Sequence, residues 1–235
     1  DSARSSRESE AVARHRPRPV LPSWLWLWFP PLLLLVILPV RVIDAGTYRV
    51  WIDGELGLIE LTTPLLAFGG AVVGGMLFRE LLQEGRSKLL AWVGLHILAC
   101  IYFAGEELSW GQHLIGWSTP EGIAALNDQG ETNLHNMSSW LDQKPRLLLE
   151  LWVLIGGVIV PLWGLRAARR LSPDVTFSWV WPTLDCLPTA LLAILVRLPE
   201  RLKDVFDIAS LPYEIRYSEP QEYYFALFLL LYLAA

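Results

Sequence analysis

Cysteine, methionine and histidine are scarce in this chain, with two, two and four copies among 235 residues. Cys100 and Cys186 both fall inside apolar runs, which excludes a disulfide framework and a cysteine-ligated zinc site and makes them small buried hydrophobes. Charge is scarce too: Asp, Glu, Lys and Arg make up 18% of the residues, against about 25% in an ordinary soluble domain. The net charge of −5, with no basic stripe, excludes a nucleic-acid partner. No G-x-S-x-G elbow, no His-Glu-x-x-His or Glu-x-x-His metal motif and no repeat of fixed period occurs.

Apolar sequence is abundant. Hydrophobic residues make up 53%, tryptophan occurs twelve times, and the mean hydropathy is +0.38. A membrane helix needs about 20 mainly apolar residues. Five runs approach that length: Leu21 to Ile43, Leu58 to Phe78, Leu89 to Gly105, Leu147 to Leu165 and Trp179 to Val196. A sixth starts near Pro220, and its run Tyr223 to Ala235 ends the chain while still apolar. Since residue 1 is Asp, the sequence reads as an incomplete open reading frame. The predicted fold is all-α, a polytopic transmembrane bundle of about six spans over residues 21–235, with short amphipathic or re-entrant helices on its outer face. Residues 1–20, rich in Arg and Ser, read as a disordered basic cytoplasmic arm.

Short cytoplasmic loops carry an excess of Lys and Arg. With the N terminus inside, six spans place eleven basic residues in the shorter cytoplasmic segments and eight in the longer outer ones. The reading is therefore a bacterial inner membrane protein with a cytoplasmic N terminus and a periplasmic or extracellular polar segment at 106–146. Trp24, Trp26, Trp28 and Phe29 mark a headgroup-level aromatic belt, and Pro30 and Pro31 kink the first span. Gly70 and Gly74, with Gly156 and Gly157, are small residues that let helix backbones approach.

Polarity concentrates between Gly105 and Asn136, and ionisable groups at the edge of a membrane bundle mark a functional site by default. A helix running on to Trp110 aligns His96, Cys100, Phe103 and Glu107, with the adjacent Glu106 a quarter turn away. A short helix is predicted from a Ser118 or Thr119 cap and Pro120 to Gly130. A second, from Glu131 to about Leu141, puts Glu131, His135, Ser138 and Asp142 on one stripe.

Two accounts of these residues follow. In the first, Glu106, Glu107, Glu131 and His135 are catalytic, and Glu107, His113, Glu131 and His135 bind a divalent transition metal. In the second, Glu131 and His135 are a helical pair, and Gln112, Asn127, Gln129, Asn133 and Asn136 close a hydrogen-bond network. The motifs GEELSWGQ (105–112) and QGETNLHN (129–136), with a looser likeness at GELGLIE (54–60), resemble a motif pair of bacterial polytopic membrane proteins of no assigned activity. The resemblance implies a shared membrane fold with an outer polar segment and carries no activity or cofactor.

Three functions remain open on the sequence. One is a metal-dependent membrane enzyme acting on an interfacial or lipid-linked substrate. Another is an accessory or scaffolding subunit whose partners, besides the bilayer, are other membrane subunits. The third is an ion or solute pathway through Asp185, His96 and the outer acids.

Overall fold

The computed structural model describes residues 21–52, 57–125, 131–134, 137–167, 180–209 and 215–235. The arm expected at 1–20 lies outside the described residues, as do Asn127, Gln129, His135 and Asn136. All regular structure among the described residues is helical. Helix α1 (Trp24–Ile43) opens with a π-helical turn at Trp24–Trp28. Then come α2 (Ala45–Trp51), α3 (Leu58–Gln83) and α4 (Ser87–Glu107). Helix α5 starts at Ser139 and continues through a π-helical stretch, Val153–Ile159, to Ala167. Helices α6 (Leu187–Leu195), α7 (Leu198–Phe206) and α8 (Ser218–Ala234) complete the order.

Four of these helices are long and apolar enough to cross a membrane: Trp24–Ile43, Leu58–Gln83, Ser87–Glu107 and Gln143–Gly164. Their exposed faces carry large apolar side chains such as Leu35, Phe68, Leu98 and Leu148, as a lipid-facing surface requires. Of the fifth expected span, Trp179 to Val196, the described residues are interrupted: Val180 is helical, 181–183 are not, and a single turn at Leu184–Cys186 leads into a helix at Leu187–Leu195. Pro188 supplies the reason, since proline lacks an N–H and belongs in a first helical turn. Pro30 and Pro31 likewise sit in the first turn of the α-helical part of α1, directly after the π turn.

The core is built around α8. Twelve of its seventeen residues are buried, from Pro220 to Leu233, so it is enclosed on every side. Small residues on its neighbours make room. A Cβ on Gly70 would meet the Leu230 backbone at 3.5 Å and Cys100 Sγ at 3.1 Å, one on Gly74 would meet Leu233 at 3.2 Å and Ile97 at 2.8 Å, and one on Gly157 would meet Phe228 at 2.6 Å and Ala190 at 2.7 Å. The glycine faces read from the sequence are thus packing surfaces, and both cysteines are fully buried.

Polar groups on α8 fix its height and rotation. The Tyr232 hydroxyl donates to Val180 O at 2.7 Å, the Gln221 amide to Ala193 O at 3.1 Å, and the Tyr224 hydroxyl to Pro30 O at 2.8 Å. His96 is buried, and its Nδ1–H donates to Trp92 O at 2.9 Å. The rings of Trp92, Trp152 and Tyr232 stand around it with centroids 4.8, 5.5 and 5.0 Å away. That is the packing of a core aromatic cluster. Asp44 caps α2, accepting from the Thr47 hydroxyl and from the backbone of Gly46 and Thr47, and the Thr47 hydroxyl above all holds its carboxyl below the usual carboxylate range.

Gly157→Val is expected to lower the thermal midpoint in mild detergent by overpacking the α5–α6–α8 contact, at about 1–3 kcal/mol. Gly75→Ala, whose Cβ meets nothing within 4 Å, is expected to leave the midpoint unchanged or slightly raised. Thermal unfolding followed by size-exclusion profile checks both.

Candidate functional site

Antiparallel packing brings the polar residues to one end of the bundle. Helices α3 and α4 form a hairpin through the turn at Gly85, whose φ is +68°, so Leu58 and Glu107 share an end. Gly70 and Gly74 of α3 face Leu230 and Leu233 of α8, so α8 runs parallel to α3 and starts at that same end. The start of α5 joins it through an Arg146–Glu222 ion pair.

At this end the sequence GEELSWGQ folds as a tight reversal. Helix α4 stops at Glu107, short of the expected Trp110, because Ser109 and Trp110 adopt left-handed backbone with φ of 45° and 56°, followed by Gly111 at 93°. Such conformations cost a non-glycine residue about 1–3 kcal/mol, so the surroundings must enforce them. The Trp110 ring folds back onto α4 and lies over Gly105, where any Cβ would meet it at 2.8 Å. In that position its indole N–H donates to Glu106 Oε1 at 2.7 Å.

Glu106 is the buried acid of the pair, 4% exposed, whereas Glu107 is half-buried. Its second oxygen accepts the backbone N–H of Leu134 at 2.7 Å. Glu131 Oε2 accepts from Ser109 Oγ at 2.7 Å and from Asn133 Nδ2 at 2.7 Å, and Asn133 Nδ2 also reaches Ser109 Oγ at 3.1 Å. Gln112 acts as a clamp. Its carbonyl accepts Thr132 N–H at 2.6 Å, while its amide donates to Thr119 Oγ1 at 2.9 Å and Trp117 O at 3.3 Å. The Trp117 indole closes the set on Thr132 Oγ1 at 3.2 Å.

These bonds overturn the helix expected over Glu131 to Leu141. Residues 131–134 are irregular and the helix begins at Ser139. Glu131, Thr132, Asn133 and Leu134 each bond to the 106–112 turn, and these bonds hold 131–134 in an irregular path across it. Glu131 thus stands outside a helix, and His135, its expected i, i+4 partner, lies outside the described residues. Of the short helix expected to reach Gly130, the described residues show Glu121–Ala124 with Pro120 before it, and 126–130 lie outside the described residues.

The two motifs are brought together, and so are Glu106, Glu131, Gln112 and Asn133. Glu60 stands half-buried in the first turn of α3 at the same end, while Asp185 lies in the turn that leads into α6. The side chains of His113 and His135 lie outside the described residues. Among the described residues, no group of three or more His, Cys, Asp or Glu side chains is arranged to hold a metal ion. Sequence reading missed Ser109, Trp110, Trp117 and Thr132. The signal for Trp110 was present in its spacing of four from Glu106 and its place beside Gly111.

No protein-family model matches the chain, and neither a curated protein nor a solved structure matches it. The site geometry alone carries the functional reading.

Trp110→Phe and Gly105→Ala both remove or displace the indole donor from the buried Glu106 carboxylate. Each is expected to destabilise the segment by about 1–3 kcal/mol, the cost of an unmet buried acceptor. Faster backbone hydrogen exchange at 105–112 and 131–134, with α3 and α8 unchanged, is the expected result.

Proposed function

We propose that this is an integral membrane protein whose 106–146 segment forms a preformed docking platform, through which the chain serves as an accessory or scaffolding subunit of a larger membrane complex. The observation that carries this reading is the use to which the polar side chains are put. The carboxylates of Glu106 and Glu131 and the amide of Gln112 take their described hydrogen bonds from indole, hydroxyl, amide and backbone donors of the segment itself. Bonds of that kind hold a shape. Around them Trp110, Ile115 and Trp140 are exposed, the last two at 76% and 65%. Aromatic and aliphatic side chains on a rigid polar frame are the anchors that protein interfaces favour.

The same reading takes the fold as about six spans, with α6 and α8 completing the four longer ones. It places the chain in a bacterial inner membrane with a cytoplasmic N terminus and the platform on the outer side. The distribution of Lys and Arg supports that orientation.

A second reading rests on the strain at Ser109 and Trp110, because strained backbone clusters at active sites. In it Glu106, Glu107, Glu131 and His135 form an acid–base or metal site, with His113 as a further ligand, acting on an interfacial or lipid-linked substrate.

One purification separates the two. Tagged protein extracted in mild detergent from its native membrane is expected to elute with a partner at fixed stoichiometry, and Ile115→Glu with Trp140→Glu is expected to release that partner while the chain stays folded. A single-chain elution with a transition metal bound, lost in the Glu131→Gln, His135→Ala variant, would replace the subunit reading with the enzymatic one.

A further inference from the structure

Helix α7 has an apolar face that the protein does not cover. Leu198, Leu202, Val205 and Phe206 recur at i, i+4, i+7 and i+8, one side of a helix, and none of the nine residues of α7 is buried. Val205 and Phe206 are 75% and 67% exposed. The stripe continues an exposed one on α6, where Leu191 and Leu195 stand at the same spacing. Pro199 separates the two helices. It has no N–H to give to Leu195 O, and its ring crowds that carbonyl, so α6 ends there and α7 begins at Leu198.

One edge of the polar side of α7 is tied to the bundle. Arg201 pairs with Glu150 of α5 at 2.5 Å, and Arg197, just before α7, pairs with Glu200 at 2.7 Å and reaches Gln221 of α8 at 3.4 Å. With Arg146 and Glu222 these groups form a layer of charge around one end of the apolar helices. Charged side chains in such a layer mark the depth at which hydrocarbon gives way to headgroups.

We propose that α7 lies in the bilayer interface, with Leu198, Leu202, Val205 and Phe206 seated at the headgroup and acyl-chain boundary as a lipid-docking surface. Two observations select lipid over other occupants. The stripe is continuous with the membrane-facing side of α6, and the ion pairs turn it away from the protein at the level of the charged layer. Within α7 two acids balance two bases, so the attraction is apolar and indifferent to lipid charge. The inference depends on the bundle spanning a membrane and not on what the platform docks.

The test labels Val205→Cys with an environment-sensitive fluorophore, in parallel with Asp204→Cys on the polar face and Phe68→Cys on the exposed face of α3. Cys100 and Cys186 are fully buried and leave little background. Each labelled protein is placed in phosphatidylcholine nanodiscs carrying acyl-chain nitroxides, one chain per disc. The Val205 probe is expected to be quenched at a depth of roughly 5–10 Å below the headgroups, the Asp204 probe to stay open to aqueous iodide, and both to be unchanged when anionic lipid is added. A Phe68 probe quenched by lipid beside a Val205 probe quenched only by iodide would overturn the interfacial helix and leave the membrane reading standing. A Phe68 probe quenched only by iodide would overturn both. A Val205 probe shielded from both quenchers, and cross-linked between copies in larger discs, would overturn lipid in favour of a second copy of the chain.

Discussion

Helix α8 is buried around nearly its whole circumference, and packing around it sets where the other helices stand. Lipid tails are as apolar as leucine, so burial from water does not drive helices together inside a bilayer; close packing does. Backbone approach at Gly70, Gly74 and Gly157 supplies that packing. Specificity comes from polar groups, since a hydroxyl or amide left without a partner in apolar surroundings costs several kcal/mol, about 2–7 by most references. Gln221, Tyr224 and Tyr232 each find a backbone carbonyl on a different neighbour. Three such bonds spaced along one helix allow one rotation and one height.

The polar segment inherits its position from that arrangement. Glu106 sits in the last turn of α4, where the helix presents its unsatisfied carbonyls and the negative end of its dipole. A buried carboxylate is unfavourable there unless donors are brought to it. The Trp110 indole and the Leu134 N–H are those donors, and reaching Glu106 forces the left-handed turn at Ser109 and Trp110. Docking of 131–134 and termination of α4 are thus one event, because each supplies what the other lacks.

Much of the fold was legible from composition and run length, since a bilayer demands long apolar segments and those are local properties. The runs at Leu21, Leu58, Leu89 and Leu147 correspond to the four membrane-length helices. Within the run at Trp179 a helix restarts at Leu187, a break at proline that hydrophobicity does not register. Within the site, polarity between Gly105 and Asn136 pointed to the right segment, and the network through Gln112 and Asn133 was one of the two accounts it allowed. Its shape was not legible. Periodicity sees partners three or four residues apart, whereas Ser109 to Glu131 and Glu106 to Leu134 are separated by 22 and 28 residues. A period of 3.6 at Glu131 and Ser138 therefore reads as a helix, although the Glu131 carboxylate is committed across the turn to Ser109.

The two ends of the bundle are built differently, and the difference says where an outside contact can be felt. At the hairpin end, α3 and α4 join through a short turn in which Arg86 N–H returns to Leu81 O at 3.2 Å. At the other end the platform leads into α5, and the first turns of α5 are tied to α8 by Arg146–Glu222 and to α7 by Glu150–Arg201. Downstream, α5 passes into a π-helical stretch at Val153–Ile159, whose Gly157 packs on α6 and α8. A π-helical stretch has a weaker local hydrogen-bond pattern than the α-helix on either side and is a frequent site of adjustment. The exit of the platform is therefore tied directly to the central helix by Arg146–Glu222, whereas the α3–α4 hairpin holds α8 through glycine contacts and through the Tyr232 hydroxyl, which accepts the Trp92 indole N–H at 2.6 Å.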